Sequence, residues 1–140
     1  MGCDVRGEYQ GSFFVTRPAV RLLNLQKSAA VVNVSSVAGI SGSGSSIAYC
    51  ASKGALNTLT KSLARVLAPR IRVNTVCPGP IDSRWLRKGI TEDQIQDKVA
   101  GIPIPRLSDP DDIAETVFYL AARTDMTTGQ ILVVDGGRTM

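Results

Sequence analysis

Tyr49 and Lys53 stand four residues apart, one turn of a helix, so a phenol and an ammonium can face the same cleft. A positive charge beside a phenol favours the phenolate and brings proton exchange toward neutral pH, which makes Tyr49 a candidate general acid/base. Ser36, thirteen residues upstream, follows an apolar run and offers a hydroxyl that can hold a carbonyl oxygen without ionising. A Tyr and a Lys one turn apart are, by themselves, most often a surface pair. The added hydroxyl at the end of a strand turns the three side chains into a site for a carbonyl or alcohol oxygen.

Other chemistries are poorly supplied. The chain has no His, which removes Ser-His-Asp and Cys-His mechanisms and imidazole metal sites together. Its three cysteines, Cys3, Cys50 and Cys77, are odd in number and show no CxxC spacing, so no disulfide framework or zinc site is expected, and a reducing, cytoplasmic setting fits. Cys50 and Cys77 flank the candidate site and read as small buried thiols. Asp109, Asp111, Asp112 and Glu115 form an acidic cluster, but they occupy the first turns of an expected helix, where acids complement the macrodipole. Lys61 and Arg65 read as a solvated helix face, and Trp85 as either a substrate contact or an anchor.

The 140 residues, 44% hydrophobic and 20% charged, suit one globular α/β domain rather than a disordered or fibrous chain. A net charge of +4 from scattered basic residues, with 5% aromatics, gives no nucleic-acid surface. No apolar run reaches about 18 residues and no signal peptide pattern opens the chain, so neither a membrane span nor secretion is expected.

The elements that must position the site follow from periodicity. Residues 13–25 carry apolar side chains at three- and four-residue steps and predict a helix despite Pro18; residues 48–67 predict a longer one, ended by Pro69. Residues 29–34, 71–77 and 131–134 are short β-rich apolar runs, expected as strands buried on both faces. Three Gly and four Ser within residues 39–46 predict a flexible loop. Ser108 with Asp111 matches a capping box for a helix over 109–122, and Ser35 reads as a turn residue closing its strand. Residues 82–105, with a helical pattern at 92–99, look like a lid-like insertion. The alternation of helices and apolar strands points to a parallel sheet covered on both faces, whose ligands bind beyond the carboxyl ends of the strands.

These residues resemble the short-chain dehydrogenase/reductase family. The resemblance rests on Asn-Val-Ser-Ser ending at Ser36, on Tyr49-x-x-x-Lys53, on Ile71-Arg-Val-Asn, on Pro78-Gly79 and on the terminal Val-Asp-Gly-Gly, and it runs from about Gly11 to Met140. It implies a Rossmann-type, doubly wound parallel sheet of which this chain supplies the last three strands with their helices, as a single partial dinucleotide-binding domain over 1–140. It implies an NAD- or NADP-dependent oxidoreductase in which Tyr49 is the acid/base, Lys53 activates it and binds the nicotinamide ribose, and Ser36 holds the carbonyl. Pro78, Gly79, Ile81 and Ser83 resemble the loop that meets the nicotinamide. The substrate would be a small carbonyl or alcohol. Helices 13–25 and 48–67, and helix 109–122 with strand 131–134, resemble the surfaces through which members form dimers and tetramers, so a homo-oligomer is expected.

The sequence also departs from the family pattern. It carries no Gly-rich turn after a strand, no selector for NAD or NADP and no Asn-Asn-Ala-Gly segment, so the amino-terminal half of the fold is expected to be missing. The proton-relay Asn has no counterpart: alternative alignments put Glu8 or Asp4 there. The alternative to an enzyme is therefore a catalytically silent, truncated chain that keeps the subunit-contact helices and acts by binding partners. A flavodoxin-like binding domain ranks third, since its phosphate loop is absent as well.

Overall fold

All three apolar runs pair as a parallel sheet in the order β1-β2-β3. In the computed structural model, which describes residues 5–140, α1 (Val5–Leu23) leads into β1 (Ala29–Val34), a short α2 (Ala38–Ser41), the long α3 (Ile47–Leu67) and β2 (Ile71–Pro78). There follow α4 (Arg84–Gly89), α5 (Glu92–Val99), α6 (Pro110–Phe118), a π-helical turn at Tyr119–Arg123 and β3 (Ile131–Val134). Asp4 and the side chains of residues 5–9 and Trp85 lie outside the described residues, and with them the relay position and the reading of Trp85.

Burial explains the layering. Central β2 is buried along its whole length, with a strand on each side and helices above and below. Its Ile71 and Val73 meet Ala29, Ala64 and the flanking Val20, Leu23 and Leu63 of α1 and α3, whereas Val76 meets Ile113 and Leu120 on the opposite face. Full burial of a side chain such as Ile71, Val73 or Val76 contributes about 1.5–3 kcal/mol. The strand's polar residues are partnered. Thr75 shares a hydrogen bond with Thr60, which accepts from Asn33 (2.9 Å), and Arg72 donates to the carbonyls of Leu120 (2.6 Å) and Ala121 (2.9 Å).

Several expectations are corrected. The outer strands are not buried on both faces, because each is an edge of this sheet: Val34 is 48% and Leu132 39% exposed. The first helix begins earlier than residue 13, through a mixed-polarity stretch without apolar periodicity. Within residues 39–46 the chain is not simply a loop, for Ala38–Ser41 forms α2, stopped by Gly42 at φ +71°. The box at the start of α6 is shifted by one residue: Asp109 is the N-cap, and its N–H donates to the Asp112 carboxylate (2.8 Å). The 82–105 segment holds two helices rather than one, with Ile95, Val99, Ile102 and Leu107 in a small core of their own against Leu86 and Ile90.

Candidate active site

The start of α3 fixes the backbone of Tyr49. Ser46 is the N-cap and its side chain accepts from the Tyr49 N–H (3.1 Å), while Ser52 Oγ donates to the Tyr49 carbonyl (2.8 Å). Because α3 runs back along a parallel sheet, its first turns stand at the carboxyl ends of the strands. One turn beyond Tyr49, the largely buried Lys53 sends its ammonium to the Val34 carbonyl (3.3 Å) and stands 5.6 Å from the centre of the Tyr49 ring. The backbone of Lys53 is held as well. Ser35 Oγ donates to its carbonyl (3.0 Å), so Ser35 is more than a turn residue. Gly39 lies so close that a Cβ there would sit 2.5 Å from the Lys53 carbonyl carbon.

Half-buried Ser36 accepts the Ala38 N–H on its Oγ (3.1 Å), which leaves its hydroxyl proton to donate. The next residue joins the two strand exits: the Val37 N–H donates to the Pro78 carbonyl (3.0 Å). Gly79 follows, donating to Val134 (2.9 Å) and packed so tightly on Asp135 that a Cβ would lie 2.8 Å from the Asp135 Cβ. The structure thus gathers Ser36, Tyr49, Lys53 and Pro78 at neighbouring strand exits. Ile81 and Ser83 lie further along: Ile81 bridges Ser108 and packs on the Val76, Ile113 and Leu120 cluster, and Ser83 Oγ caps α4 by accepting from Leu86 (3.2 Å).

Two groups near these strand exits titrate away from their ordinary values. Burial pushes the Cys77 thiol up despite the charge of Lys53, so it stays protonated and is no nucleophile at neutral pH. The Arg87 guanidinium holds the Asp82 carboxyl below its ordinary value at the entrance to α4. The sequence reading missed Gly39 and Asn57. Asn57 had a signal, since it is one further turn along the face of Tyr49 and Lys53; Gly39 had none, because close approach of backbones leaves no trace in composition.

A nicotinamide cofactor fits these residues at one end. A hydroxyl donor, a phenol and an ammonium border the exit of β1, and Pro78 stands at the neighbouring exit of β2. The pyrophosphate end finds no counterpart among the described residues, where no strand passes through a glycine-rich turn into a helix.

Comparison with known proteins gives the same class. The enoyl-(acyl carrier protein) reductase family matches residues 6–139. Over 131 residues the chain is 40% identical to the short-chain dehydrogenase/reductase homolog YusR of Bacillus subtilis, covering 94% of this chain and 99% of that protein. It is 37% identical over 130 residues to the 3-oxoacyl-[acyl-carrier-protein] reductase FabG of Thermotoga maritima, covering 91% of this chain and 52% of that one. A solved short-chain dehydrogenase/reductase from Burkholderia xenovorans superposes with a TM-score of 0.85 at 44% identity, over 95% of this chain and 52% of that one. The chain belongs to the short-chain dehydrogenase/reductase family. It spans nearly all of YusR and about half of the other two.

Proposed function

We propose that the protein interconverts a carbonyl and an alcohol with NAD or NADP, using Ser36, Tyr49 and Lys53. The observation that carries this reading is the placement of the Lys53 ammonium between the Val34 carbonyl and the Tyr49 ring, at the mouth of a parallel sheet. When bound, the reduced nicotinamide supplies the hydride that the carbonyl carbon takes up. Ser36 donates its hydroxyl proton in a hydrogen bond to the substrate oxygen, and Tyr49 transfers its own proton to that oxygen as the alcohol forms. Lys53 stabilises the phenolate left behind until solvent returns a proton, and alcohol oxidation runs the same steps backward. Lys53, Pro78 and Gly79 would hold the nicotinamide and its ribose, with Ile81 and Ser83 continuing that wall. The 82–105 segment would close the substrate side.

The carbonyl is a small molecule, and the working form is a homo-oligomer in the cytoplasm. One observation favours a second reading, a catalytically silent chain that works by association: among the described residues no strand passes through a glycine-rich turn into a helix. The test incubates the natural protein carrying this sequence with NADH or NADPH and a panel of ketones and 3-oxoacyl thioesters. Alcohol formed mole for mole with oxidised cofactor supports the reductase; no alcohol from any pairing supports the silent chain.

A further inference from the structure

Tyr49, Lys53 and Asn57 recur at four-residue steps along one face of α3. Asn57 is 5% exposed and uses both ends of its amide. Its Nδ2 donates to the Gly39 carbonyl (3.3 Å), and its Oδ1 accepts from the Cys77 thiol (3.5 Å). Only a carboxamide carries both a neutral N–H donor and a carbonyl acceptor on one rigid plane. The partners belong to the two segments that meet α3 at the site: Gly39 lies in α2, three residues after Ser36, and Cys77 immediately precedes Pro78.

The packing leaves this amide a specific task. A Cβ at Gly39 would lie 2.5 Å from the Lys53 carbonyl carbon and 2.7 Å from the Gly54 nitrogen, so α2 rests backbone to backbone on α3. Such a contact has no interlocking side chain at residue 39 to fix its register. Ser35 and Val34 pin the end of β1 to Lys53 on one side, and Asn57 pins α2 from the next turn. Because burial keeps Cys77 protonated, its S–H remains a donor to Oδ1 at neutral pH.

We propose that Asn57 is a positioning residue: by tying Gly39 and Cys77 to α3, it sets where the Ser36 hydroxyl and the Pro78 exit stand relative to Tyr49. The inference rests on the reading of Tyr49 as the acid/base, but its test needs no turnover. The full chain is labelled with ¹³C at Cζ of its three tyrosines, Tyr9, Tyr49 and Tyr119, and the Tyr49 resonance is assigned with Tyr49→Phe. In Asn57→Ala the Tyr49 resonance moves by more than its linewidth, while that of Tyr119, in the π-helical turn beyond α6, stays in place. Cys77→Ala displaces the Tyr49 resonance too, and Cys77→Ser, which keeps an O–H donor, returns it to the parental position. Should Asn57→Ala fail to fold, the two Cys77 variants decide. An unmoved Tyr49 resonance in folded Asn57→Ala, equal displacement of Tyr49 and Tyr119, or a Cys77→Ser spectrum like that of Cys77→Ala overturns the proposal. Turnover that survives Tyr49→Phe would overturn the catalytic reading instead and leave these spectra as they are.

Discussion

Lys53 donates from its ammonium to the carbonyl of Val34, the last residue of β1, across 3.3 Å, while the same nitrogen stands 5.6 Å from the Tyr49 ring centre. The strand end therefore aims the charge at the phenol. Lys53→Ala removes both the aim and the charge, so it lowers kcat and weakens cofactor affinity together. Steady-state rates with a cofactor titration check this, and unchanged cofactor affinity would contradict the proposal that Lys53 holds the ribose.

The strands were legible because β-rich runs bounded by Ser-Ser, Pro-Gly and Gly-Gly have few alternatives; 29–34 and 131–134 match β1 and β3, and 71–77 falls one residue short of β2. The spacing of Ser36, Tyr49 and Lys53 was legible because it is local. What escaped depended on partners distant in sequence. The edge status of β1 and β3 is a property of the sheet, and α2 is held by Gly39 resting on Lys53 and by the Asn57 amide, neither of which leaves a periodic signal. The start of α6 was misplaced by one residue because Ser108 and Asp109 are equally good caps, and Arg106, by binding Asp112 (2.6 Å), favours the second.

The polypeptide 1–140 by itself should bind dinucleotides poorly, because a pyrophosphate needs a helix N-terminus reached through a glycine turn. Calorimetry with NADH or NADPH is expected to show no saturable binding at concentrations on the order of tens of micromolar. A one-to-one site in that range would contradict this.

Asp135 makes stability depend on pH. Burial acts to raise its pKa, but hydrogen bonds from the Thr139 hydroxyl (2.7 Å), the Gly137 N–H (2.9 Å) and the Thr139 N–H (2.9 Å) outweigh it, and the carboxyl titrates below its ordinary value. A folded value below the unfolded one, about 3.9, adds stability that is full above the unfolded value and is lost as pH falls through the folded one. Asp135→Asn should therefore cost about 2 kcal/mol at neutral pH, with the difference from the parent shrinking below about pH 4. Urea melts across pH check this; a difference that stays constant into acid would contradict it.

Association should be strong. The outer edge of β1 carries neither Lys nor Pro to blunt it, and Phe14, Val15 and Leu22 stand exposed on α1. Sedimentation of the 140-residue chain over a concentration series should show dimers or larger species. A sharp 14.9 kDa monomer at high micromolar concentration, melting cooperatively, would contradict this.

The most direct measurement of the catalytic assignment is the turnover of Tyr49→Phe in the natural protein carrying this sequence, at saturating cofactor, beside a titration of cofactor affinity. The substitution removes one proton-bearing oxygen and keeps the ring beside Lys53. Turnover should fall by roughly 10²–10⁴, the range of a single general acid/base, with cofactor affinity near the parental value. A variant that keeps more than about a tenth of the parental rate would contradict the assignment of Tyr49 as the group that moves the proton.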